Sequence, residues 1–222
     1  MPQTRSKHLP VSIAILSRAP VPGQTKTRLI PALGAEGAAD LHRRFLHATV
    51  RTALQADLGP VTLWCTPDTA HPEFTACSRL GPLNLRPQAT GDLGSRMLAT
   101  IDTPTLIIGT DCPALTPAHL QQAANALNEN DAVLIPAEDG GYVLIGLRQP
   151  EPAVFADIAW GTAQVLTSTR QRLRDIAYSW VELPTLWDVD EPADLTRLAL
   201  SHPKLISAEY SDGCGTPSVT VG

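Results

Sequence analysis

Short apolar runs alternate along this chain with longer stretches whose apolar residues recur at helical spacing. Val11–Ser17 (VSIAILS) reads as a buried first strand, and Val61–Cys65 (VTLWC) as a second. Leu83–Arg86 is a weak third. Leu106–Gly109 (LIIG) is wholly apolar, the pattern of a strand covered on both faces. Ala132–Pro136 and Tyr142–Leu147 follow as two strands around the loop Ala137–Gly141, and Tyr178–Leu183 closes the series. Between them, Ala35–Asp57 predicts a long helix, with Leu41, Phe45, Ala48 and Thr49 near one face. Asp92–Ile101 predicts a second helix, with Leu93, Met97 and Ile101 aligned. Thr116 followed by Pro117 is an N-cap and first helical residue for a helix reaching about Asn128. Thr162–Ile176, with Thr162 as N-cap, and a last helix from Glu191-Pro192 to about Ser201 complete the pattern. Strands alternating with helices imply an α/β fold of parallel strands joined by right-handed crossovers.

Composition narrows the picture. The chain has 222 residues, 43% apolar and 18% charged, which suits one packed domain. It is assigned to residues 10–202, with a loosely held polar tail over residues 203–222. Net charge is −5 and the 17 Lys and Arg are scattered, so no track for nucleic acid is expected. No apolar run reaches the ~18 residues of a membrane span. The opening MPQTRSKHLP lacks the apolar stretch of a signal peptide, so a cytoplasmic protein is expected. Cys65, Cys77, Cys112 and Cys214 form no C-x-x-C pair and no zinc spacing, and read as buried free thiols. None of the six His pairs with a nucleophile, and no G-x-S-x-G elbow supports hydrolase chemistry.

In parallel α/β sheets, ligands sit beyond the carboxyl ends of the strands. Three loops leave strands there: Arg18–Arg28, Thr110–Pro113 and Trp187–Asp190. The first (RAPVPGQTKTRL) carries Lys26 and Arg28 just beyond Gly23, able to wrap a polyphosphate or simply to be a solvated basic loop. The second (IIGTDCPAL) sets Asp111 directly after an apolar strand, where a carboxylate is costly without a partner. Asp111 either binds a hard cation such as Mg²⁺ or caps the turn before Pro113. In the third (LWDVDEPADL), Asp188 and Asp190 are expected on opposite sides of an extended stretch, so that only one shares a metal with Asp111. Asp190 is equally placed to cap the last helix. The segment QATGDLGSRM sets Gly91 and Gly94 around Asp92, and PAEDGGYVLIG sets Asp139 before Gly140-Gly141. Each is a tight turn or a place where backbone meets ligand.

Taken in order over Ile13–Leu198, APVPGQTKTRL, GDLGSRM, GTDCPALTP, PAEDGGYVLIGL, WGTAQVL and LWDVDEPADL closely resemble the DUF2064 family of glycosyltransferase-like proteins. That family sits with the GT-A nucleotide-diphospho-sugar transferases, and is similar to phospholactate and molybdenum cofactor guanylyltransferases. The resemblance implies a GT-A Rossmann-like αβα sandwich with a mostly parallel mixed central sheet. It implies nucleotide binding by Ala19, Pro20, Gly23, Lys26, Arg28, Gln88, Asp92, Gly94 and Thr110. It also implies acceptor binding by Asp139, Gly140, Gly141, Trp160 and Thr162, and Mg²⁺ or Mn²⁺ held by Asp111 and Asp190. Lys26, Arg28 and Asp111 are the expected catalytic residues, and the expected partners are an NTP or nucleotide-sugar and a small acceptor. Nucleotidyl transfer with loss of pyrophosphate is the preferred expectation; glycosyl transfer and a catalytically silent regulator are the alternatives. The glycine-rich signature of sugar nucleotidyltransferases is reduced here to Pro-Val-Pro-Gly, and Glu191 replaces the usual Thr before the last Pro.

Overall fold

The computed structural model describes residues 10–102 and 104–206. Seven strands form one mixed sheet: β1 (Ser12–Arg18), β2 (Val61–Thr66), β3 (Leu83–Pro87), β4 (Thr105–Ile108), β5 (Ala132–Pro136), β6 (Tyr142–Leu147) and β7 (Trp180–Glu182). Their order across the sheet is β3-β2-β1-β4-β6-β5-β7. Every pairing is parallel except those of β6, which runs antiparallel to β4 and to β5. The hairpin at Ala137–Gly141 is too short for a crossover, so β6 must return beside β5. This reversal brings the hairpin and the start of β6 to the edge where β4 ends, with Ile108 opposite Leu144.

Helices cover both faces, which explains the uninterrupted apolar runs. On β1, Ile13 and Ile15 enter one core and Ala14 the other. On β4, Leu106 and Ile108 face one way and Ile107 the other. The first core packs under α1 (Ile30–Gln55), α2 (Pro72–Cys77) and α4 (Pro117–Ala126), through Leu46, Phe74 and Leu120. The second packs under α3 (Leu93–Leu98), a 3-10 turn at Pro152–Phe155 and α5 (Val165–Asp175), through Met97, Phe155 and Leu173. A third cluster joins α1 to α6 (Asp194–Ser201) and α7 (Pro203–Ile206), through Phe45, Trp187, Val189, Leu198 and Leu205. The result is a Rossmann-like αβα sandwich.

The differences from the sequence pattern are local. Helix α1 bends at Gly34 (φ 70°), so its regular part starts where the periodicity predicts. Thr116 caps α4 within a capping box completed by His119. Helix α5 starts at Val165 rather than Thr162, whose hydroxyl instead donates to Ala159 O at 2.8 Å in the preceding turn. Helix α2 and the Pro152–Phe155 turn are too short to leave a periodic signal. At the start of the tail, Pro203–Ile206 is helical, Leu205 is buried, and Arg44 donates to its carbonyl at 3.2 Å. The rest of the tail, with Cys214, lies outside the described residues. Cys65 and Cys77 are buried free thiols, and Cys112 is half-buried. Among the described residues, no helix is long and apolar enough to cross a membrane.

Candidate active site

All three loops singled out in the sequence converge at the carboxyl edge of β1 and β4. The first begins with Arg18, whose carbonyl lies 2.9 Å from His42 Nε2 on α1. It turns through Val21, whose carbonyl accepts from Gln24 N and the Thr25 hydroxyl. Lys26 then takes a left-handed backbone (φ 47°, ψ 42°) before the chain enters a 3-10 turn. That conformation is unfavourable for a residue with a Cβ, so the contacts at the end of the side chain must hold it.

Those contacts are clear. Lys26 Nζ lies 2.9 Å from Asp111 Oδ1 and 2.9 Å from Asp190 Oδ1, and donates to Val189 O at 2.5 Å. It also stands 5.9 Å from the centre of the Phe45 ring. Only 6% of the Lys26 side chain is exposed, against 42% for Asp111 and 39% for Asp190. Burial pulls the Lys26 pKa down, but the Asp111 and Asp190 carboxylates outweigh it and hold the ammonium above its ordinary value. Burial likewise opposes ionisation of Asp111, yet Lys26 keeps its pKa below the usual carboxylate range. The second and third loops are also joined by Val189 N donating to Asp111 O at 3.0 Å.

Asp190 does not cap the last helix. The last helix starts after Ala193 with no side-chain cap; Asp194 Oδ2 accepts instead from Asp190 N at 2.9 Å and Glu191 N at 2.8 Å in the turn before it, and the Asp190 carboxylate meets Lys26. The expectation that Asp188 and Asp190 face opposite sides is also corrected. Residues two apart in extended chain share a face. Trp187 and Val189 fill the third core, and Asp188 and Asp190 lie together near Asp139, with carboxylate oxygens of the three within 4.8 Å of one another. The Asp188 pKa is pushed up to about 6, first by burial and then by the Asp139 and Asp190 charges.

Beside this centre opens a cavity of about 620 Å³, the size of a small-ligand site. Of the expected nucleotide residues, Lys26, Arg28, Gln88 and Thr110 line it, along with Asp111 and Asp190. Gln88 Nε2 donates to Ser17 O at 3.2 Å and Trp64 O at 2.9 Å, tying the tips of β1 and β2. Of the expected acceptor residues, Asp139, Gly141, Trp160 and Thr162 line the same cavity. Ala19, Pro20, Gly23, Asp92, Gly94 and Gly140 are not among the lining residues. Asp92 caps α3 by accepting from Ser95 N at 2.8 Å. Gly94 lets α3 approach Trp160, since a Cβ there would stand 2.8 Å from the indole. Gly140 (φ 91°) lets the hairpin meet the next loop, since a Cβ would stand 2.4 Å from Ala163 O.

Among the other polar lining residues are Arg18, His42 and Arg96, to which the sequence assigns no role in the site. Arg18 ends β1, and Arg96 Nε donates to Gly91 O at 3.0 Å. His42 is buried on α1, as are its helix neighbours Leu41, Phe45 and Leu46, and burial lowers its pKa. A histidine set into that apolar face of α1 was the available signal.

The donor set fits a hard divalent cation. Asp111 and Asp190, from separate loops, already close around one cation, the Lys26 ammonium, and Asp139 and Asp188 offer further carboxylate oxygens next to Asp190. Such oxygen sets suit Mg²⁺ or Mn²⁺.

Residues 49–162 match the DUF2064 family model, described as an uncharacterized protein conserved in bacteria. A 2-phospho-L-lactate guanylyltransferase of Methanosarcina acetivorans is 29% identical over 119 residues, covering 52% of this chain and 54% of that protein. The matched part thus spans about half the length of this curated relative. A crystal structure of a candidate nucleotide-diphospho-sugar transferase from Desulfovibrio desulfuricans G20 is 30% identical. It superposes with a TM-score of 0.78 over 91% of this chain and 93% of that one. A nucleotidyl transferase from Methanothermobacter thermautotroptrophicus shares the fold at 14% identity, with a TM-score of 0.58 over 85% of this chain and 95% of that one.

Proposed function

The chain belongs to the DUF2064 family, and from that premise we propose that it is a metal-dependent nucleotidyltransferase, moving a nucleotidyl group from an NTP to a small phosphorylated acceptor. The observation that carries this reading is the meeting of Asp111, Asp190 and Lys26 from three separate loops, at the strand edge and beside a ligand-sized cavity. The guanylyltransferase relative supports the reaction class.

In such a reaction an acceptor oxygen attacks the α-phosphorus and the bond to pyrophosphate breaks. The protein has little covalent work to do; it positions the groups and neutralises charge. Asp111 and Asp190, which meet at Lys26, would hold the metal, and Asp139 and Asp188 would offer further carboxylate oxygens beside Asp190. A bound Mg²⁺ or Mn²⁺ supplies Lewis-acid stabilisation to phosphate oxygens. Lys26 and Arg28 meet the phosphates from the first loop, and Arg18 adds a third cation beside them. Thr110 and Gln88 lie on the nucleotide side of the cavity. Asp139, Gly141, Trp160 and Thr162 form the acceptor side, the aromatic and apolar surface there excluding water from the reacting groups. The catalytic unit is one domain over residues 10–202.

A second reading is glycosyl transfer from a nucleotide-sugar, favoured by the description of the Desulfovibrio relative. There Asp139 serves as base, and the same metal steadies a nucleoside-diphosphate leaving group. Incubation with each NTP and a pool of phosphorylated acceptors separates the two. Nucleotidyl transfer releases pyrophosphate in amounts equal to the nucleotidylated product. Consumption of a nucleotide-sugar with no pyrophosphate from any NTP would establish glycosyl transfer instead.

A further inference from the structure

Lys26 cannot serve the carboxylates and a phosphate at the same time. An ammonium has three N–H donors, and here they face three acceptors: Asp111 Oδ1 and Asp190 Oδ1 at 2.9 Å each, and Val189 O at 2.5 Å. With 6% of the side chain exposed, no donor is left over for a ligand in the cavity. The backbone pays for this placement with a left-handed conformation at φ 47°. In return, two carboxylates from separate loops are held together by a positive charge standing between them, as a metal ion would stand.

We propose that Lys26 is the resident counter-ion of the metal site, and that a divalent ion and the nucleotide phosphates enter by exchanging partners with it. This rests on the reading of Asp111 and Asp190 as metal ligands. Metal arriving alone must break both ion pairs and strand a buried ammonium without acceptors, which is costly. Phosphate arriving with it gives the ammonium new acceptors at the same moment. Free metal therefore binds weakly, nucleotide raises its affinity, and by linkage metal raises the affinity for nucleotide to the same degree. A lysine that merely braced the loops would show none of this, since its removal would leave metal affinity equal or lower.

The test is Mn²⁺ binding to the full chain, followed by electron paramagnetic resonance, with and without a non-hydrolysable NTP analogue. Lys26→Met removes the competing charge at similar length. It is expected to bind free Mn²⁺ at least tenfold more tightly than the wild type. The analogue is expected to raise wild-type Mn²⁺ affinity at least tenfold and to change the variant's little. Equal or weaker Mn²⁺ binding by a folded Lys26→Met overturns the proposal.

A second measurement needs no variant. The chain has only three lysines, Lys7, Lys26 and Lys204, so reductive methylation read by mass spectrometry resolves each. Saturating Mn²⁺ alone is expected to speed labelling of Lys26 several-fold, with exposed Lys204 as the unchanged control. Unchanged Lys26 labelling while Mn²⁺ is demonstrably bound overturns the exchange but spares the metal reading. Absence of Mn²⁺ binding in both proteins, with and without analogue, overturns the metal reading and the exchange with it.

Discussion

A lysine held at φ 47° and almost wholly buried carries two free-energy penalties, one in its backbone and one in the desolvation of its charge. Both are offset by Asp111 and Asp190, so the three residues act as a unit. Asp111 was legible in the sequence because a carboxylate right after a buried strand needs a partner. The identity of that partner was not, because the sequence reading joined Lys26 to a phosphate rather than to the carboxylates. The role of Asp190 was ambiguous for a different reason: that the helix starts only after Ala193, with Asp194 bracing the preceding turn, is invisible until the turn is seen. Asp111→Asn should lower the rate of nucleotidyl transfer by ~100-fold or more in steady-state assay, because it weakens charge stabilisation at the reacting phosphates. The same substitution should leave the fold intact, since Asp190 and Val189 still hold Lys26. A fall below twofold would remove Asp111 from the mechanism.

At the scale of elements, the strands of the sheet were legible because residues buried on both faces leave continuous apolar runs. Strands β5 and β6 match their sequence bounds for that reason. The edge strand β7 shrinks to three residues, half-buried and weakly patterned. Helices α2 and α3 have six residues each, too few for periodicity to set their ends. The glycines at 94 and 140 read as ligand-facing positions, yet their constraint comes from neighbouring elements. Gly140→Ala forces a Cβ against Ala163 O and strains a positive φ, so urea unfolding should show a loss of about 1–3 kcal/mol.

The pairing of α5 with β7 gives a pH dependence. Arg170 meets Glu182 through two hydrogen bonds, at 2.8 and 2.6 Å, and these hold the Glu182 pKa below its ordinary value of 4.5. A depressed carboxylate pKa contributes stability above the unfolded value, and that contribution fades as pH falls through the folded value. Glu182→Gln should therefore cost about 1 kcal/mol at neutral pH, with the gap to wild type closing as pH falls below 4.5. A gap that stays constant down to acid pH would assign the loss to packing instead.

For the molecule as a whole, the strand–helix alternation was enough to give a layered α/β fold with its ligand edge at the strand carboxyl ends. What it could not give was the antiparallel insertion of β6 between β4 and β5, because sheet order is set by long-range pairing. That insertion carries the Asp139 hairpin to the same edge as Asp111, so the acceptor side and the metal side share one cavity. Asp188 joined the acidic cluster for a whole-molecule reason too: Trp187 and Val189 are drawn into the core beneath α6, which turns the aspartates outward together. A site assembled from loops this far apart in sequence is stabilised by whatever binds across them. A ligand at 100 times its dissociation constant adds ~2.7 kcal/mol, which for a chain of this size raises Tm by roughly 5–10 °C.

Metal-dependent nucleotide binding at Asp111 is read by thermal unfolding of wild type and Asp111→Asn with each NTP, with and without Mg²⁺ or Mn²⁺. Wild-type Tm is expected to rise with at least one NTP only when the divalent ion is present, and Asp111→Asn is expected to lose that rise. A nucleotide-induced rise that is the same without metal, or that survives intact in Asp111→Asn, would contradict metal-dependent binding at Asp111.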